Sequence, residues 1–138
     1  MKNTILSISI LAALASTNAI AMNEVNDEDS LQQAIASANT DSSIKKIVFE
    51  RNAKINLTAP VIYNGMQSLT LIGQGATIDG SSAGDFVLDT DLTAITEDGT
   101  LIFNTSSNIN IHNLTVANSA TRGIVVNVPF NATVMILR

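Results

Sequence analysis

Apolar positions follow a helical period once in this chain and an alternating or short-run period almost everywhere else. Leu31, Ala34, Ile35 and Ala38 fall at i, i+3, i+4 and i+7, one face of a helix. The spacing predicts a helix of about three turns over 29–39. Asp29 is placed to cap it, with Gln32 at the reciprocal position of a capping box and Asn39 as its stop. After Asp41 the pattern changes to short β-branched pieces separated by Gly, Asn, Ser and Asp. Strands are predicted at 44–49, 54–57, 69–72, 77–79, 86–88, 101–103, 109–111, 114–116, 124–128 and 133–137.

Shifting the chain by 23 residues superimposes apolar on apolar positions. Ile55, Ile78, Leu101 and Ile124 form one column, and Leu88, Ile111 and Val134 form another. Val48-Phe49 maps onto Leu71-Ile72, and Leu101-Ile102-Phe103-Asn104 maps onto Ile124-Val125-Val126-Asn127. Asn108 meets Asn131 at the same step. Such a unit is too short to bury its own apolar face, so stacking is what closes a core. Equivalent side chains then stand about 4.8 Å apart, and Asn amides can bond along the column. A competing match, Leu69-Thr70-Leu71 against Ile109-Asn110-Ile111, lies 40 residues apart and fits no multiple of 23.

The run Leu69-Thr70-Leu71-Ile72-Gly73-Gln74-Gly75-Ala76-Thr77-Ile78-Asp79-Gly80 resembles an early coil of the pectin-lyase-like superfamily of right-handed parallel β-helix proteins. Residues 109–118 resemble a later coil, and the helix at 29–39 resembles the N-terminal cap of that fold. The resemblance implies an all-β chain: a right-handed parallel β-helix of about four coils with an N-terminal capping α-helix. It speaks to architecture rather than activity, because the superfamily holds lyases, hydrolases, adhesins and proteins without known chemistry. It also implies further coils downstream, since members usually have many more.

Residues 1–21 read as an export signal. Lys2 supplies the positive start, 5–14 the short apolar stretch, and Ala19-Ile20-Ala21 the cleavage site. The apolar stretch is too short to span a bilayer, so the mature chain is expected to start at Met22 without a transmembrane segment. Residues 22–43 then form a linker and the capping helix, and 44–138 the coils. Export points to a secreted or cell-surface product.

Composition narrows the function classes. Ile, Val and Thr make up 40 of 138 residues, which excludes a disordered polymer. A net charge of −5 with no basic patch argues against non-specific nucleic-acid binding. The absence of Cys excludes disulfides and thiolate zinc sites.

Candidate chemistry is thin. Asp85, Asp89, Asp91, Glu97 and Asp98 crowd one loop, but Asp89-Thr90-Asp91-Leu92-Thr93 lacks the oxygen-ligand spacing of a calcium loop. His112 is the sole His and has only Asn110 or Asn113 nearby to orient it as a base. Lyases of the superfamily place an Arg near their groove, yet nothing local singles out Arg122. Asn104-Thr105-Ser106 resembles the Asn-Thr-Asp element of polygalacturonases with Ser106 in place of the acid, and paired carboxylates are missing. Asn56-Leu57-Thr58, Asn104-Thr105-Ser106, Asn113-Leu114-Thr115 and Asn131-Ala132-Thr133 match glycosylation sequons, as chance allows in an Asn- and Thr-rich chain. No catalytic, metal or cofactor residue is assigned. The expected product is a non-catalytic surface segment that meets a polysaccharide or a partner surface. The alternative is the N-terminal fragment of a polysaccharide-degrading enzyme whose site lies beyond Arg138.

Overall fold

The computed structural model describes residues 24–84, 99–127 and 134–137. The signal-peptide residues, the predicted strand at 86–88 and the acidic loop lie outside them.

Helix α1 spans Glu28–Thr40 and buries Leu31, Ala34, Ile35 and Ala38, the face that the spacing predicts. Its cap differs from the expectation. Asp27, not Asp29, is the N-cap: Ser30 N–H donates to Asp27 Oδ1 at 2.8 Å, and Asp27 N–H donates back to Ser30 Oγ at 3.1 Å. Asp29 and Glu28 instead lie in the first turn, where carboxylates oppose the positive end of the helix dipole. Gln32 turns away from the cap and donates to the Pro60 carbonyl at 3.3 Å. Asn39 does not stop the helix, which continues to Thr40 with Asp41 as C-cap.

The strands are β1 Lys46–Val48, β2 Lys54–Asn56, β3 Val61–Tyr63, β4 Leu69–Asp79, β5 Leu101–Phe103, β6 Ile109–Ala117, β7 Ile124–Val126 and β8 Val134–Leu137. All pair in parallel, in two sheets. The larger runs β1-β4-β6-β8, with β2 also on β4; the smaller runs β3-β5-β7. The pieces predicted at 69–72 and 77–79 are one bent strand, β4, and those at 109–111 and 114–116 are likewise one strand, β6. Strand β3 escapes the sequence reading, because Val61-Ile62-Tyr63 is only three residues long between Pro60 and Asn64.

The 23-residue step holds at two places. Ile55 pairs with Ile78, and Leu101 pairs with Ile124. Between them the step is 40: Val61 pairs with Leu101, and Leu69 with Ile109. The competing match at 40 is therefore the real register there, and the continuous column Ile55-Ile78-Leu101-Ile124 is broken. Ile78 faces Val116 instead. The reason is loop length. Four residues separate β2 from β3 and twenty-one separate β4 from β5. The excess of 17 is the difference between 40 and 23, so the loop grows while the strands keep their partners. Two smaller slips occur. Val48 pairs with Ile72 rather than Leu71, and Val134 pairs with Ile109 rather than Ile111.

Side chains from both sheets and α1 share one buried cluster. One column through it is Ile47, Leu71, Ile111 and Ile136. The first three are at most 2% exposed, whereas Ile136 is 56% exposed. In the smaller sheet Tyr63 stacks beside Phe103 with ring centroids 6.3 Å apart, a spacing at which tilted aromatics attract. At the other end α1 lies on β3, and Val25 bridges Phe49 on the outer edge of β1. Val25 N–H donates to Val48 O and Glu50 N–H to Val25 O, so part of that edge is paired. No helix among the described residues is long and apolar enough to cross a membrane.

Candidate functional site

Two polar constructions recur through the stack. The first is a ladder at the turns that follow the smaller sheet. Asn64, Asn104 and Asn127 each come directly after a strand of that sheet, at the end of β3, β5 and β7. Asn127 Nδ2 donates to Asn104 Oδ1 at 2.7 Å, and Asn104 Nδ2 donates to Asn64 Oδ1 at 2.9 Å. Asn39 on α1 ends the series: its Oδ1 accepts from Asn64 N–H at 2.7 Å and its Nδ2 donates to Ile62 O. The predicted match of Asn104 with Asn127 is thus a direct amide contact; that of Asn108 with Asn131 lies outside the described residues.

The second is a corner in the larger sheet. β4 and β6 each bend midway, and the chain between β1 and β2 turns at the same level. Asn52, Gln74 and Asn113 take left-handed backbone angles there, with φ of 56°, 52° and 47°, and Gly75 follows at 83°. Asn adopts this region more readily than most side chains because its short amide tolerates it. Gly75 has the backbone angle that strains a side chain, and a Cβ there would also displace Asn52 Oδ1, 2.7 Å away. Three residues, Gly73 to Gly75, make the bend in β4, where Asn113 alone makes it in β6. The pairing step accordingly falls from 40 before the corner to 38 after it. Arg51, Asn52, Gln74, Gly75 and Asn113 line an open cleft of about 520 Å³.

Acidic groups serve the scaffold. Glu28 accepts from Thr58 N–H, Thr58 Oγ and Ala59 N–H, tying the first turn of α1 to the loop after β2. Partial burial pushes its carboxyl up, but these bonds outweigh it and hold the pKa below the ordinary value. Asp79 accepts from Asn118 Nδ2 at 2.6 Å and Ser81 N–H at 2.9 Å, which lowers its pKa too. Asp27 and Asp41 are lowered by Ser30 and Ser43. Burial pushes the Tyr63 phenol up, against its bond to Gln67 O at 2.6 Å.

The residues singled out from sequence do not converge. His112 sits half-buried on β6, between Ile72 on β4 and Leu137 on β8. Arg122 lies in the turn before β7, where its carbonyl accepts from Thr100 N–H. Thr105 of the Asn104-Thr105-Ser106 element is a structural pin: it is buried, and its Oγ1 donates to Gly65 O at 2.7 Å. Among the described residues no three His, Asp or Glu side chains gather as metal ligands. Asp85, Asp89, Asp91, Glu97 and Asp98 lie outside those residues. The sequence reading missed Arg51 and Gln74. The sequon at Asn113 touched the corner for another reason, and Gly-Gln-Gly at 73–75 was the available sign of a bend. Comparison with protein-family models, with curated proteins and with solved structures returns no match.

Proposed function

We propose that this chain is an exported, non-catalytic segment of a right-handed parallel β-helix, a scaffold that holds a polar surface toward a polysaccharide or a partner at the cell surface. The observation that carries the reading is the repeated parallel pairing, in which strands 23 to 40 residues apart return to the same two sheets. Between β3 and β5, and again between β5 and β7, the chain leaves the smaller sheet, passes through the larger one and returns. Parallel crossovers of that kind are right-handed in nearly all proteins, because right-twisted strands fit back only that way. The amide ladder and the α1 lid suit a stack with one protected end. Export rests on the order of Lys2, the apolar stretch at 5–14 and Ala19-Ile20-Ala21.

The test has two arms. N-terminal sequencing of the product from a bacterial host, fractionated into cytoplasm and export compartments, is expected to give a chain starting at Met22 outside the cytoplasm; an intact Met1 overturns export. Incubation with polygalacturonate, with and without Ca²⁺, is expected to release neither unsaturated products nor reducing ends. Release that disappears in His112→Ala or Arg122→Ala overturns the non-catalytic reading.

A further inference from the structure

We propose that Asn64-Gly65 is a self-modification site, at which the Gly65 backbone nitrogen closes on the Asn64 side chain, expels its amide as ammonia and leaves an aspartyl or isoaspartyl link at the end of the ladder nearest α1. This goes beyond the scaffold reading and does not depend on it.

Water is the one co-reactant. The Gly65 nitrogen adds to Asn64 Cγ, and the bond between Cγ and Nδ2 breaks. The proton lost by the Gly65 nitrogen leaves with Nδ2 as ammonia, and a cyclic imide remains. Water then opens the ring at either carbonyl. Opening at Cγ restores the main chain with an aspartyl side chain. Opening at the backbone carbonyl gives isoaspartate, in which the main chain runs through Cβ and Cγ and is one carbon longer.

Three observations place the reaction at this pair. The first is the attacking residue. A Cβ at Gly65 would overlap the hydroxyl end of Tyr63, which is fully buried and stacked beside Phe103. The fold therefore demands Gly here, and Gly presents the least hindered backbone nitrogen to Cγ. At the other ladder positions Asn104 is followed by Thr105 and Asn127 by Val128, both branched at Cβ.

The second is that other bonds do not hold the reacting atoms. Gly65 is buried, yet its N–H donates to no described residue. A buried backbone N–H without a partner is uncommon. Asn64 is exposed, and its Nδ2, the leaving nitrogen, has no partner among the described residues. Its Oδ1 accepts from Asn104 Nδ2 at 2.9 Å. That donor sits on the oxygen that gains negative charge as the nitrogen adds.

The third is a contrast within the chain. Asp79-Gly80 also requires its Gly, because a Cβ there would overlap Thr100 Oγ1. Here, however, Gly80 N–H donates to Ala117 O at 2.9 Å, and the Asp79 carboxylate accepts from Asn118 Nδ2 and Ser81 N–H. Both partners of a ring closure are committed, so this second pair is expected to stay intact.

The change falls where the lid meets the stack. Asn64 N–H donates to Asn39 Oδ1 on α1 at 2.7 Å, and Gly65 O accepts from Thr105 Oγ1 at 2.7 Å. An extra main-chain carbon between those two anchors drives Gly65 toward the Tyr63 ring, where no room exists. Isoaspartate at this position therefore loosens the α1 contact and the first ladder bond together.

The experiment incubates the purified chain, folded and in urea, in heavy-oxygen water at mildly alkaline pH and body temperature. Peptide mapping by mass spectrometry then locates the heavy oxygen, and fragmentation distinguishes isoaspartate from aspartate. In the folded chain one heavy oxygen is expected at Asn64 for each conversion. Asn104, Asn127 and Asp79 are expected to react at least about tenfold more slowly. Asn104→Ala, which removes the donor on Oδ1, is expected to slow Asn64 about twofold or more. The isoaspartyl fraction, separated by ion exchange, is expected to melt below the unmodified chain. Asn64→Gln, whose longer side chain closes a ring far less readily, is expected to lose no stability on the same incubation. Uptake at Asn64 in urea but not in the folded chain overturns the proposal, as does no uptake in either. Equal uptake at Asn104 or Asn127 overturns the selectivity, and faster conversion in Asn104→Ala overturns the part given to the ladder bond.

Discussion

Gln67, between β3 and β4, is one of the side chains that tie α1 to the sheets. Its Nε2 lies 2.6 Å from Ala38 O, 3.2 Å from Asp41 O and 3.2 Å from Ile44 O. Two N–H groups thus serve Ala38 in the last turn of α1, its C-cap Asp41 and Ile44 in the segment before β1; the Ala38 carbonyl has no intrahelical partner there, while Asp41 O also accepts from Ile44 N–H at 3.1 Å. Replacing Gln67 with Ala removes these bonds and leaves the Ala38 and Ile44 carbonyls without them, while Asp41 O keeps the Ile44 N–H. A buried polar group left unsatisfied costs about 1–3 kcal/mol. Part of this set is reached by water, so a loss of about 2 kcal/mol is expected. At about 4 °C per kcal/mol, the value between those for smaller and larger domains, the melting temperature falls by about 8 °C. Gln67→Glu sharpens the test. A carboxylate facing three carbonyl oxygens has no proton to give, so the folded state favours the protonated acid and raises its pKa above the unfolded value. Its stabilising contribution is then present below the unfolded pKa and is lost as pH rises through the folded pKa. Gln67→Glu is expected to approach Gln67 at about pH 4 and to fall to or below Gln67→Ala at neutral pH. Urea unfolding followed by circular dichroism at both pH values measures this. If Gln67→Ala stays within about 0.5 kcal/mol of the parent, or Gln67→Glu shows no pH dependence beyond it, the amide does not hold the helix.

Leu31→Ala, at a fully buried position of α1, is expected to cost about 2–5 kcal/mol, read as a lower urea midpoint; a loss under about 1 kcal/mol means that the lid contributes little. Asn64→Ala and Asn104→Ala remove the two ends of one ladder bond, and a double-mutant cycle is expected to show coupling of about 0.5 kcal/mol or more, against strict additivity if the amides merely lie side by side. The carboxyls of Glu28 and Asp79 are depressed below ordinary values of 4.5 and 3.8, so their stabilisation is present above those values and is lost as pH falls through the depressed ones. Glu28→Gln and Asp79→Asn should each flatten the acid limb of a melting-temperature profile below pH 4.5; an unchanged acid limb in both excludes these bonds as its source.

The residues legible in sequence were those whose environment is local. Leu31, Ala34, Ile35 and Ala38 announced a buried helical face because helical geometry alone puts them together. The cap was misplaced by two residues because three acidic residues stand in a row, Asp27, Glu28 and Asp29, and only the reciprocal bond with Ser30 distinguishes the first. Ile55 on Ile78, and Leu101 on Ile124, were legible because a constant step survives where the loops are short. Leu69 on Ile109 is visible in sequence as a match, but its step of 40 shares no period with 23. A stacked sheet fixes which strands pair, while its loops are free to grow, since each doubling of loop length costs only about 0.6 kcal/mol. A single period is therefore the wrong expectation for such a chain.

The corner was illegible for a different reason. Arg51, Gln74 and Asn113 are separated by tens of residues of unrelated sequence, and none belongs to a motif that names a chemistry. What joins them is the left-handed bend, repeated wherever the larger sheet turns, and a bend is written in backbone angles rather than in side-chain type. The ladder and the corner then divide the polar groups in a way that bears on function. Asn64 and Asn104 use their amides on one another, so the smaller sheet's turns are internally satisfied and have less to offer a ligand. Asn52 and Asn113 use theirs on nothing described, with the uncommitted Arg51 beside them. Asn26, Asn56, Asn108 and Asn110 likewise make no side-chain bond to a described residue, so an uncommitted amide is common outside the ladder. What is distinctive is the ladder: its amides are spent on tying the turns after β3, β5 and β7 to one another, which fixes the register of the smaller sheet.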